Sequence, residues 1–264
     1  MDSYQDFAYV YDEFMDQVPY QEWCERIHEL IQKYGVSKPD RHGKDALETE
    51  KNLVVDLGCG TGTLTSALYQ KGYDMIGVDN SESMLGVAME KKAQTGEEIL
   101  YLLQDMRELE LYSTVGTVCS VCDCVNYILD KEELLEVFSL VNNYLYPGGI
   151  FIFDFNTEYK YSEVIGETTI AENREDCSFI WENYYDEEEH INQYDVTIFV
   201  KEEQELFRRF TETHLQRGYE PAEIEELIEQ AGMTLIEMVD ADSLKEVTKE
   251  SERILVVAKE KGKE

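Results

Sequence analysis

Positive charge is scarce. The chain sets 23 lysines and arginines against 57 aspartates and glutamates, a formal net charge of −34. A partner gripped through its phosphate backbone needs clustered cations, so this balance argues against nucleic acid. What remains is a solvated acidic surface, with attraction of cationic substrates or basic partners as the functional alternative. Long apolar runs are missing too. No stretch reaches membrane length and no apolar core precedes the first charges, so a cytoplasmic chain with no membrane partner is expected. Internal repeats and low-complexity tracts are absent. The six cysteines (Cys24, Cys59, Cys119, Cys122, Cys124 and Cys177) sit mostly in apolar strand-like segments, as buried reduced thiols do. Cys119, Cys122 and Cys124 have a superficially metal-like spacing, but no second Cys/His pair follows, and no metal is expected.

At 264 residues, 43% of them hydrophobic, the chain can build one α/β domain with an inserted or appended subdomain. The defining stretch is Val54-Val55-Asp56-Leu57-Gly58-Cys59-Gly60-Thr61-Gly62, an apolar β-branched run that breaks into glycines and then turns helical. Glycine permits positive φ at such a turn and lets a ligand lie against the backbone. The amides from Gly60 to Thr63 are expected to face the ligand's negative end at the helix start. The dinucleotide fingerprint is disfavoured because Thr63 stands where its third glycine belongs. A phosphate loop is disfavoured because no lysine occurs between Asn52 and Gln70. Asp56 adds a carboxylate able to hold an ammonium. A second strand, Met75 to Val78, ends in Asp79, 21 positions beyond Gly58, near the ~20 expected of an acid receiving ribose hydroxyls. The plain alternative for such an acid is a helix cap or turn.

Together these residues resemble motif I and its following acid in the class I S-adenosylmethionine-dependent methyltransferases. The likeness extends to Gln104-Asp105-Met106 after the third strand, which resembles that family's adenine-binding turn, and to Pro147-Gly148-Gly149 before the fifth. Phe7-Ala8-Tyr9-Val10-Tyr11-Asp12 resembles the segment that folds over the cofactor in small-molecule N-methyltransferases. The whole chain resembles uncharacterised bacterial methyltransferases related to sugar-amine and glycine N-methyltransferases. The resemblance implies S-adenosyl-L-methionine as methyl donor, held by Tyr11, Asp56, Gly58, Cys59, Gly60, Gly62, Asp79, Asn80, Met84, Gln104, Asp105, Met106 and Cys122, with Trp23 a weaker contact.

The implied fold is a Rossmann-like, seven-stranded, mostly parallel sheet of order 3-2-1-4-5-7-6, with helices on both faces. The pattern divides the chain into an N-terminal helical lid (1–50), the cofactor-binding core (51–160), an inserted antiparallel β cap (161–218) and a closing helix and strand pair (219–264). Amphipathic helices are expected from Tyr4 to Tyr20, Tyr20 to Tyr34, Thr63 to Lys71, Glu82 to Thr95 and Lys131 to Tyr146, the last with Leu134, Leu135, Phe138, Val141 and Leu145 inward. Val36 to Asn52 reads as a loop. Cap strands are expected over Glu167–Arg174, Cys177–Tyr185, Ile191–Val200 and Glu205–Leu215.

Methyl transfer needs alignment and exclusion of water more than a nucleophile-base triad, which fits the absence of a strong catalytic motif. An ammonium acceptor must still lose a proton. Tyr127, Asp123, Glu182 and His214 are the candidates to take it. Tyr127, Tyr159, Tyr161, Tyr184, Tyr185 and Trp181 with abundant acids point to a small amine as acceptor. A carboxylate, a protein side chain or a non-catalytic cofactor-binding role are the alternatives, as is a nicotinamide-dependent dehydrogenase. A monomer or homodimer is expected.

Overall fold

A computed structural model of the chain describes residues 8–41, 45–202 and 206–263. It begins with α1 (Ala8–Phe14) and α2 (Tyr20–Tyr34). Of the expected helix from Tyr4 to Tyr20, Tyr4 to Phe7 lie outside the described residues, and toward its other end the helix stops at Phe14. Pro19 disfavours helical geometry in the residue before it and so separates the two helices. In α2 the buried stripe is Cys24, Ile27, Leu30 and Ile31, at the spacing of one helical face.

The segment expected as a loop contains α3 (Ala46–Asn52). Asp45 caps it by accepting the Glu48 amide at 2.9 Å. Its large apolar residue, Leu47, is exposed, so no hydrophobic periodicity marks it. Next come β1 (Leu53–Leu57), α4 (Thr63–Gln70), β2 (Asp74–Asp79), α5 (Glu82–Thr95) and β3 (Leu100–Leu103). Ser81 caps α5 and Gly96 ends it at φ +71, where glycine carries no Cβ penalty. β4 (Val115–Ser120) pairs with the other side of β1 and is buried at every position.

Asp130 caps α6 (Lys131–Tyr144), accepting the amides of Glu132 and Glu133. The face that α6 buries holds Leu134, Val137, Phe138 and Val141. Val137 replaces the expected Leu135, which is half-buried, and Leu145 already belongs to β5 (Leu145–Asn156). The Pro-Gly-Gly turn expected before the strand therefore lies inside it. The register against β4 slips between Val115 and Thr117 to accommodate it, as a bulge does.

A single-turn π-helix over Lys160–Ile165 leads into β6 (Thr169–Asn173), β7 (Cys177–Asp186), β8 (Ile191–Lys201) and β9 (Phe207–Arg217), an antiparallel meander. Glu205, the expected start of β9, lies outside the described residues. The chain then returns through α7 (Pro221–Gln230), β10 (Met233–Asp240) and β11 (Arg253–Glu260). The large sheet runs β3-β2-β1-β4-β5-β11-β10, the expected order, with β11 antiparallel to both neighbours. Apolar clusters cover both faces, around Phe138, Phe151 and Phe153 on one side and Ile27, Val54 and Ile152 on the other. This double burial explains why the parallel strands read as continuous apolar runs. Among the described residues no helix is long and apolar enough to cross a membrane.

Candidate active site

The carboxyl ends of β1 to β4 converge on a cavity of about 500 Å³, at the crevice where strand order reverses between β1 and β4. Its floor is the glycine turn. Gly58, Gly60 and Gly62 have φ values of +82°, +52° and +74°, but they serve different ends. A Cβ on Gly58 would lie 2.5 Å from Cys124 Sγ, and one on Gly62 would lie 2.4 Å from the Tyr101 hydroxyl. On Gly60 it would meet nothing within 4 Å. The outer two glycines permit close packing, and the middle one leaves the cavity floor bare.

Of the expected amide row, Gly60 and Gly62 are turned inward. Gly58 and Cys59 donate to the Val78 carbonyl, Gly62 donates to Cys59, and Gly60 donates to Asp79 at 2.8 Å. Buried amides need acceptors, and that of Gly60 finds one in the acid at the tip of β2, which it steadies. Asp79 also accepts the Ser81 amide at 2.8 Å. Burial pushes its carboxyl above the usual range, opposed by those amide bonds. Asp56 lies deeper, accepting the Thr65 hydroxyl at 2.6 Å. Desolvation pushes it up to about 6, opposed by the Thr65 bond, and the Asp79 charge adds to the rise. A buried acid and a half-buried one thus stand where a cation would relieve them.

Asp105 is differently placed. Arg107 reaches it through its own amide at 2.9 Å, Nε at 3.0 Å and Nη2 at 2.7 Å, and holds the carboxyl below its usual range. The guanidinium also pairs with Glu133 at 3.0 Å. The N-terminal helices close the cavity from above. Asp12 on α1 accepts the Thr61 hydroxyl at 2.6 Å and pairs with Lys91. Tyr20 hydrogen-bonds to Tyr11 and to the Cys122 thiol.

Of the residues singled out from sequence for the cofactor, Tyr11, Asp56, Gly58, Cys59, Gly60, Asp79, Asn80, Met84, Gln104, Asp105, Met106 and Cys122 line this one cavity. Gly62 does not; it caps α4 and packs on Tyr101. Trp23 packs instead under Arg253, whose guanidinium carbon lies 4.5 Å from the ring centroid. Thr61 and Thr63, whose amides were expected at the ligand, line the cavity too, and so do Tyr20, Arg107, Cys124 and Ile128, to which the pattern gave no cofactor contact. Thr61 and Thr63 were legible as neighbours of the glycines, whereas Tyr20 arrives only through helix packing.

Beyond β4 the backbone takes two successive left-handed residues, Cys122 at φ +67° and Asp123 at φ +54°, a conformation that costs a side chain energy and persists where surroundings enforce it. Asp154 enforces it by accepting both amides, at 3.2 and 2.8 Å. The kink turns Cys122 to the cavity and Asp123 away from it, toward the Gln216 amide. Desolvation pushes Asp123 up to about 6, with Lys160 opposing. Asn126, fully buried, donates to the carbonyls of Asn156 at 2.8 Å and Arg217 at 2.7 Å and accepts the Asn156 amide at 2.8 Å. It seats the small sheet over the carboxyl ends of β4 and β5. Of the four catalytic candidates only Tyr127 lines the cavity. His214 is buried behind it, Asp123 faces Gln216, and Glu182 is exposed on the outer face of β7. Tyr184 shares that outer face, whereas Trp181 packs on Tyr194 at a centroid distance of 4.7 Å. No cluster of three or more His, Cys, Asp or Glu among the described residues is arranged to hold a metal.

A glycine turn after β1, an acid at the tip of β2 and an antiparallel last strand in this order define the Rossmann-like class I methyltransferase fold. Known proteins agree with it. A methyltransferase-domain family profile matches residues 54–149. The provisionally named methyltransferase YqeM of Bacillus subtilis (strain 168) is 34% identical over 256 residues, covering 97% of this chain and 96% of that one. The crystal structure of an S-adenosylmethionine-dependent methyltransferase from Clostridium acetobutylicum ATCC 824 superposes with a TM-score of 0.83 at 30% identity, covering 98% of this chain and 99% of the other. The sugar N-methyltransferase KedS8 from Streptoalloteichus sp ATCC 53650 shares the fold at 16% identity, with a TM-score of 0.72 and coverage of 94% and 92%. The chain belongs to the S-adenosylmethionine-dependent methyltransferases.

Proposed function

We propose that the enzyme methylates the nitrogen of a small amine. The cavity residues fit the methyl donor. Bare space over Gly60 admits a ligand to the backbone, Asp79 suits ribose hydroxyls, Asp56 suits an ammonium, and Gln104 to Met106 stand at the tip of β3 for the base. Bound there, S-adenosylmethionine supplies a methyl carbon activated by a cationic sulfur. The remaining work falls to the chain: Tyr11 and Tyr20 cover the cavity, Cys122 and Tyr127 wall its inner end, and together they exclude water.

One observation carries the acceptor class. Among the described residues, the wall beyond β4 presents the Tyr127 ring and no cation, the cover adds the rings of Tyr11 and Tyr20, and Arg107, the one cationic residue of the lining, is engaged by Asp105 and Glu133. Rings and acids attract an ammonium, and a phosphate or a nucleic-acid backbone would find no such partner in that lining. The fold shared with KedS8, itself a sugar N-methyltransferase, supports the same reading. A cytoplasmic monomer or homodimer with lid 1–50, core 51–160, cap 161–218 and closing segment 219–264 completes the proposal. The test is transfer of labelled methyl from S-adenosylmethionine to a panel of amino sugars, amino acids and polyamines, beside carboxylates, tRNA and protein. Amine turnover is expected. Label confined to carboxylates, tRNA or protein would displace it, and binding without transfer to anything would favour a non-catalytic role.

A further inference from the structure

Behind the cavity wall a line of polar groups runs into the cap. Tyr127 is its cavity end. The Tyr127 hydroxyl lies 2.6 Å from the Tyr194 hydroxyl and 3.3 Å from His214 Nδ1. Tyr194 is the cross-strand partner of His214, and the two rings stack at 4.9 Å and 13°, which fixes the imidazole plane. On the far side His214 Nε2 lies 3.5 Å from Glu212 Oε2. The titratable groups facing the imidazole are therefore Tyr127 from the turn after β4, Tyr194 from β8 and Glu212 from its own strand. Asp123 and Tyr161 meet Gln216, one inward position further along β9.

A carboxylate opposite Nε2 favours the tautomer with its proton on that nitrogen. Nδ1 then offers a lone pair to the Tyr127 O–H, and the Tyr127 oxygen accepts from Tyr194. A tyrosine of the cavity wall, a base behind its hydroxyl and an acid beyond the base stand in series, the arrangement by which a protein removes a proton from a reacting group.

We infer that Tyr127, His214 and Glu212 carry away the proton lost by the acceptor, with Tyr127 meeting the acceptor and His214 and Glu212 as positioning residues behind it. This rests on the amine reading above. The acceptor ammonium gives a proton to the Tyr127 oxygen while the Tyr127 O–H proton passes to Nδ1, leaving tyrosine neutral and an imidazolium facing Glu212. The neutral nitrogen forms its N–C bond to the methyl carbon as the C–S bond breaks and that electron pair stays on sulfur. One proton is released per methyl, to solvent at the Glu212 side, where the carboxylate keeps 10% of its side-chain surface exposed against 1% for His214.

The experiment uses the full chain with labelled S-adenosylmethionine and glucosamine, glycine and putrescine as acceptor probes. In His214→Gln and Tyr127→Phe, kcat should fall about 100-fold with the KM for S-adenosylmethionine unchanged. A rise of kcat with pH in the wild type should vanish in His214→Gln. Glu212→Gln should move that rise to lower pH without removing it. Calorimetric binding of S-adenosylhomocysteine verifies each fold; should His214→Gln lose it, Tyr127→Phe and Glu212→Gln decide. An unchanged pH profile, or a loss confined to KM, overturns the relay and leaves amine methylation standing. A wild-type enzyme that binds the methyl donor but methylates no amine overturns both.

Discussion

Gly60 and Asp79 are coupled, because the amide of one holds the carboxylate of the other. Replacing Gly60 by valine imposes a side chain on a residue at φ +52°, which costs about 1–2 kcal/mol, and points that side chain into bare cavity rather than into protein. The variant should fold with a lowered Tm and bind no S-adenosylmethionine. Asp79→Ala should weaken binding by about 1.5–3 kcal/mol, the value of hydrogen bonds to a charged group. Calorimetry showing wild-type affinity in both would refute the site. Asp56 adds a pH dependence. With its folded carboxyl pushed up to about 6, it is protonated below that value in the ligand-free protein, and a cationic ligand must expel the proton to bind. Affinity should be flat above about pH 6.5 and weaken as pH falls toward about 5, by up to about tenfold per unit. Asp56→Asn should abolish the slope; a slope that survives in the variant would assign the titration elsewhere.

Asn126 pins the joint between cap and core. Its three hydrogen bonds tie the turn after β4 to the end of β5 and the end of β9. Removing the side chain orphans two carbonyls and one amide in a fully buried place, at about 1–3 kcal/mol each. Asn126→Ala should lose about 3 kcal/mol or more by urea denaturation. Hydrogen exchange should locate the added opening in β9 and the adjoining turn. Loss spread evenly over the sheet, or none, would mean that the cap is held elsewhere. The N-terminal element is tied through Asp12 to Thr61 in the glycine turn and to Lys91 on α5, so the cofactor turn and the cavity cover are joined by side chains.

At the scale of the molecule, a net charge of −34 sets the fold against itself. Asp56 and Asp123, each pushed up to about 6 from an ordinary 3.8 by desolvation, act in the same sense. Between those values the folded chain binds more protons than the unfolded chain, so stability falls as pH rises through the window and levels off above it. The ligand-free Tm should therefore be higher at about pH 5.5 than at about pH 7.5. It should also rise when salt is increased from about 20 mM to about 0.3 M, which shortens the screening length. A Tm that falls with either change would show that paired carboxylates such as Asp105, held low by Arg107, outweigh the repulsion.

The parallel strands and the cavity floor were legible because each rests on local grammar: continuous apolar runs for doubly buried strands, glycines where φ turns positive, and acids at strand tips. The order of the strands came from the resemblance to the methyltransferases. The strands of the cap and the places of Gly60 and Asp79 at strand ends follow from residues near one another in the chain, while the closed seven-stranded core and the place of Asp105 came from the resemblance. Where local grammar is silent the reading failed. The helix Ala46–Asn52 buries no large side chain and so left no period. Pro147-Gly148-Gly149 reads as a break but is absorbed into β5 by a register slip. The inward amides of the glycine turn depend on Val78 and Asp79, brought beside it by sheet pairing. Tertiary structure alone decided which candidates meet the cavity. The left-handed pair after β4 turns Asp123 away, strand alternation puts Glu182 outside, and His214 reaches Tyr127 from 87 residues further along the chain. Such partners are chosen by how a cap docks on a core, and no spacing in the sequence encodes that distance.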